Sequence, residues 1–110
     1  MKIYDLHDKE GNAFAFEVEN TLLGRRGACR VVRSIPGAVI LKKPRFLSWF
    51  REEVFCEFEI GGHKFQIWEP YGDNSRYWVG PEPVSNTEQI KIVRKAFEAA
   101  GLLGVMSNGR

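Results

Sequence analysis

Residues 54–68 read Val54-Phe55-Cys56-Glu57-Phe58-Glu59-Ile60-Gly61-Gly62-His63-Lys64-Phe65-Gln66-Ile67-Trp68, two alternating runs joined by a pair of glycines. Successive side chains of a β-strand point to opposite faces, so apolar and polar residues in alternation mark a half-buried strand. Two glycines between such runs mark a two-residue hairpin loop, whose central positions need positive φ and therefore favour a residue without Cβ. The loop predicts a register in which Ile60 opposes His63, Glu59 opposes Lys64, Phe58 opposes Phe65 and Phe55 opposes Trp68. Val54, Cys56, Phe58, Ile60, Phe65 and Ile67 then share a core-facing side, while Glu53, Glu57, Glu59, Lys64 and Gln66 share the other. Glu59 and Lys64 set opposite charges across from each other, as cross-strand pairs favour.

Outward from this hairpin, the same reading assigns the rest of the chain. Residues 2–6 form a strand that turns through Asp8-Lys9-Glu10-Gly11-Asn12 into a second one, where Phe14, Phe16 and Val18 alternate with Ala15, Glu17 and Glu19. Helical spacing predicts a helix over 25–35: Ala28, Val31, Val32 and Ile35 fall on one arc, and Arg26, Arg30 and Arg33 on the opposite side. Pro36-Gly37 ends it. The apolar run 38–41 suits a buried strand, and the segment 46–50 reads as a loop or single turn over the core. Downstream, Pro70 to Ser75 is dense in turn formers, and 76–79 returns as a strand. A last helix carries Ile90, Val93, Ala96, Phe97 and Ala100 as its buried stripe, is capped by Ser85, Asn86 or Thr87, and stops at Gly101. The order ββ, α, β, βββ, α predicts an α+β fold, a mainly antiparallel sheet of five to six strands with two helices on one face. It forms a single domain over 1–104, with a frayed tail at 105–110.

The 110 residues suit one domain, and 44% apolar with 27% charged residues is a globular composition. No apolar stretch reaches the length of a membrane span, and no signal-peptide core follows Met1, so the expected location is the cytoplasm. Cys29 and Cys56 are too few for a disulfide framework or zinc motif and read as small buried hydrophobes. The net charge of +2 hides a segregation: residues 21–51 hold eight basic groups and no acidic one. Residues 52–88 reverse this, with eight acidic groups against Lys64 and Arg76.

Three surfaces follow. Phe55 and Trp68 fall on the polar side of the sheet, and if Glu69 opposes Arg76, Tyr77 lands beside them as a third aromatic anchor. The competing expectation is that a chain end or residues 46–50 cover this patch. Arg26, Arg30 and Arg33, with Lys42, Lys43 and Arg45 nearby in sequence, form a basic helix face suited to acidic protein surfaces or nucleic acid. The loop holding Asp73, Asn74 and Arg76 concentrates polar ligands, but its spacing departs from a calcium loop, and a turn with Arg76 paired to Glu69 is the simpler reading.

Catalysis has the weakest support. His7 and His63 stand in no recognised motif, and His63 lies along the hairpin well beyond hydrogen-bond reach of Cys56. No glycine-rich phosphate cradle occurs, and no cofactor or metal is expected. The composite expectation is a small non-catalytic protein that binds another protein through Phe55, Trp68 and Tyr77 and through the arginine face. The alternative is a nucleic-acid-binding module using Arg26, Arg30 and Arg33, and the third reading is a small enzyme of unidentified chemistry. No membrane contact is expected, and a sheet edge would allow a homodimer.

Overall fold

Gly61 and Gly62 take φ of 56° and 80° in the computed structural model of the chain, the values a tight hairpin loop demands. The structure describes residues 2–19, 24–42, 54–69 and 76–108. The strands are β1 (Ile3–His7), β2 (Ala13–Glu19), β3 (Val39–Lys42), β4 (Val54–Ile60), β5 (His63–Trp68) and β6 (Arg76–Pro81). Helix α1 (Gly24–Arg33) lies between β2 and β3, and α2 (Gln89–Asn108) follows β6. The strands form one six-stranded sheet in the order β1-β2-β6-β5-β4-β3, antiparallel at every pairing. This is the α+β arrangement that the alternating runs predict.

The path explains the order. The β1–β2 hairpin forms one edge, and α1 carries the chain to the far edge at β3. The meander β3-β4-β5-β6 then walks back until β6 pairs with β2. Phe16 opposes Val79 and Val18 opposes Tyr77 along that seam. These side chains point to the helix side and are fully buried, together with Phe58, Phe65 and Ile67 of the central strands.

The helices complete this core from one side. Ala28, Cys29 and Val32 of α1 and Ile90, Val93 and Phe97 of α2 pack into the same cluster as the sheet residues. Phe97 meets Phe16 edge-on, with ring centroids 5.6 Å apart. Arg94 of α2 grips Asp5 of β1 through two hydrogen bonds, Nε to Oδ1 at 2.6 Å and Nη2 to Oδ2 at 3.0 Å, and also bonds Glu98 one turn on. Arg26, Arg30 and Arg33 are exposed, as the helical spacing predicts. No described helix is long and apolar enough to cross a membrane.

Both helices end elsewhere than the sequence reading places them, and β6 runs two residues further, to Pro81. Helix α1 ends at Arg33, and its last turn tightens as Ile35 N–H donates to the Val32 carbonyl at 3.0 Å. Helix α2 runs through Gly101 to Asn108. A mid-helix glycine costs only about 1 kcal/mol relative to alanine, too little by itself to end the helix. The segment 46–50, expected over the core, lies outside the described residues.

The β2–β6 seam predicts where stability is concentrated. Phe16→Ala should cost about 3–5 kcal/mol through lost burial and the cavity left beside Phe97. Urea unfolding should show a lower midpoint with unchanged slope. Val39→Thr, at an edge-strand position 56% exposed, should stay within about 0.5 kcal/mol of the parent.

Candidate binding face

The side of the sheet opposite the helices carries a row of cross-strand neighbours. Tyr4 opposes Glu17, Glu17 opposes Trp78, Trp78 opposes Trp68, and Trp68 opposes Val54. Directly opposed residues hold their Cβ atoms about 4.5–5.5 Å apart, so the row is continuous across five strands. At its centre the Trp68 and Trp78 rings pack with centroids 6.1 Å apart at 55°. Both are half-buried.

Gly80 provides the floor for this pair. It lies two residues beyond Trp78 on the same face, and a Cβ built there would sit 2.7 Å from Trp78 Cη2 and 2.8 Å from Ala15 Cβ. The indole edge therefore lies along β6 over Gly80, beside Ala15 of β2, which is buried although it points away from the helices.

Charge is organised around Tyr4. The Arg76 guanidinium stacks 3.8 Å from the Tyr4 ring centroid and bonds Glu17, Nη1 to Oε1 at 3.1 Å. Tyr4 Oη donates to Glu19 Oε2 at 3.2 Å. Glu17 is only 8% exposed, and the neighbouring guanidinium compensates the desolvation of its carboxylate. Towards the other edge, Lys64 opposes Glu59 in the register, as the hairpin loop predicts. Its ammonium instead reaches the diagonal Glu57 at 3.2 Å and Glu82 at 3.5 Å. The hydrogen bond and charge of Glu57 raise the Lys64 pKa above the ordinary lysine value, with a smaller contribution from Glu82.

Of the predicted aromatic anchors, only Trp68 lies on this face. Phe55 and Tyr77 are fully buried on the helix side, where their rings meet edge-on at 4.9 Å. Two single-residue shifts account for both corrections. A bulge at Phe55 lets Val54 pair with Trp68 while Cys56 pairs with Ile67, which turns Phe55 inward. Between β5 and β6, Trp68 pairs with Trp78 rather than Tyr77, and a one-residue slip exchanges the faces of a whole strand.

The predicted Arg76–Glu69 pair is also replaced. Arg25 bonds Glu69 at 3.1 Å and stacks over Phe55, its Cζ 5.0 Å from the ring centroid, while Arg76 serves Glu17. Arg26, Arg30 and Arg33 lie on α1, across the sheet from the tryptophans. Asp73 and Asn74, like Lys43 and Arg45, fall outside the described residues.

Sequence reasoning missed Trp78 and Tyr4 as members of the face, whereas the alternation in β2 already set Glu17 on the side away from Phe16 and Val18. Three apolar residues in a row, Val54-Phe55-Cys56, are the available sign that strict alternation breaks there. His7 and His63 are both exposed, at the end of β1 and the start of β5. Among the described residues no cluster of His, Cys, Asp and Glu is arranged to hold a metal ion. The chain matches no protein-family model, no curated protein and no solved structure.

Gly80→Ala should destabilise the protein by about 1–3 kcal/mol, because the added methyl must displace Trp78 or Ala15. A shift of tryptophan emission towards longer wavelength should accompany the loss. For Lys64 the sign follows from its raised pKa. Its stabilisation is complete below pH 10.5 and is lost as pH rises through the higher folded-state value. The stability difference between the parent and Lys64→Met, followed by denaturant unfolding against pH, should therefore shrink in strongly alkaline solution, and again in acid where the Glu57 and Glu82 carboxylates take up protons.

Proposed function

We propose that the chain is a non-catalytic binding module that engages a partner protein through the outer sheet face centred on Trp68 and Trp78. The tryptophan pair carries this reading. Tryptophan is enriched among the residues that dominate binding energy, and such residues cluster centrally within a rim that excludes water. Here the pair is rimmed by Arg76, Glu17 and Glu19 on one side and by Glu57, Glu59 and Lys64 on the other. Carboxylates outnumber cations in that rim, so the matching partner surface is apolar at its centre and basic around it.

The arginine face of α1 is the second contact surface in this reading. Arg26, Arg30 and Arg33 are exposed and form no ion pair within the described residues, which leaves their charge for an acidic partner surface. The same three side chains support the nucleic-acid alternative. That reading predicts binding that weakens steeply with salt.

Affinity capture from lysate separates the two, using the parent, Trp78→Ala and the charge-reversal pair Arg30→Glu with Arg33→Glu, each with and without nuclease. Circular dichroism checks that each variant is folded. The proposal expects a specific protein that survives nuclease, with about 30-fold weaker binding after Trp78→Ala, as removal of a central anchor produces. Retention that vanishes with nuclease and depends on the arginines, whatever occupies position 78, would replace it with nucleic-acid binding.

A further inference from the structure

Cys29 and Cys56 are the only cysteines in the chain and are 27 residues apart, yet the fold brings them together. Cys29 lies on the buried side of α1, and Cys56 points from β4 towards that helix. Their sulfurs are 2.6 Å apart, at 2% and 0% exposure. A disulfide requires about 2.05 Å between sulfurs, so closure asks for a movement of about half an ångström. Two buried hydrophobes would need no such meeting of sulfurs across the helix–sheet interface.

We propose that Cys29 and Cys56 are a reversible oxidation site, at which peroxide converts the pair to an intramolecular disulfide that fastens α1 to β4. The Cys29 thiolate attacks one peroxide oxygen and the O–O bond breaks, giving a sulfenic acid and hydroxide. Cys56 then attacks the Cys29 sulfur, the S–O bond breaks, and the leaving oxygen departs as water with the Cys56 proton. The proton lost from the Cys29 thiol joins the hydroxide, so altogether two thiols and one peroxide become one disulfide and two waters, and both electrons pass to peroxide. Cys29 acts first because it is the less enclosed of the two. The hydrogen bond to Cys29 and burial also hold the Cys56 thiol protonated, with its pKa pushed far up. Peroxide is small enough to reach an enclosed pair that larger disulfide reagents do not.

The bridge would close a loop containing β3 and residues 43–53, which restricts the unfolded chain. This site lies on the helix side of the sheet, so it stands independently of the tryptophan face.

Folded parent protein treated with hydrogen peroxide, then denatured and exposed to a maleimide, provides the test. The expected product takes up no maleimide, has lost two hydrogens in mass and yields a cross-linked peptide joining Cys29 to Cys56. Its Tm should rise on the order of 10 °C and return with dithiothreitol. Cys29→Ala should show no rise, and if that variant fails to fold, the mass of the parent still decides. Two alkylated cysteines after treatment, oxygen added to either sulfur without a cross-link, or a bridge between two chains would each overturn the proposal.

Discussion

The ladder between β2 and β6 is the constraint on which the remaining structure depends. It joins the N-terminal hairpin to the β3–β6 meander, strands about 60 residues apart in sequence, and makes one sheet of two local units. Joined, they place Phe16, Val18, Tyr77 and Val79 beneath the helices at the centre of the core. The same ladder puts Glu17 against Trp78 on the reverse side. One set of backbone hydrogen bonds thus aligns the core and the candidate face together, and a slip that disturbed one would exchange it with the other.

What was legible in the sequence follows from how locally each feature is determined. The Gly61-Gly62 loop sets its own register, so the hairpin, its apolar side and its charged side were readable to within the Phe55 bulge. Helical spacing alone separated Arg26, Arg30 and Arg33 from Ala28, Val32 and Ile35. The β5–β6 register was different. Its connection, residues 70–75, carries turn formers but no two-residue loop, so pairing of Trp68 with Tyr77 and pairing with Trp78 were equally compatible with local rules. Long-range packing decided it: with Trp78 outside, Tyr77 enters the core beside Phe55, and Gly80 falls where the indole needs room.

The cysteines show the same limit from another direction. Composition correctly places them inside, since cysteine is among the most buried residue types. Sequence separation says nothing of whether two buried sulfurs meet, because that depends on which turn of α1 lies over which residue of β4. The exposed arginines on the same helix are linked to this choice. Rotating α1 enough to separate Cys29 from Cys56 would carry Arg26, Arg30 and Arg33 round towards the sheet, where charge without partners is costly.

Glu17 and Arg76 remain the least expected pair, since neither the alternation nor the turn chemistry calls for a nearly buried carboxylate in the middle of a sheet. Stability is a weak reason for them: desolvation offsets much of the Coulomb gain of an enclosed ion pair, and apolar replacements of similar volume often fold as well. What the pair does supply is orientation. Arg76 lies over the Tyr4 ring and bonds Glu17, the cross-strand partner of Trp78, so a planar fork of donors is held beside an aromatic surface. Groups ordered in advance lose less conformational entropy on association than flexible surface arginines do. A face made of packed rings and a restrained guanidinium is therefore better suited to recognition than to solubility, and that contrast with the exposed arginines of α1 supports the proposal that the tryptophan side is the principal contact.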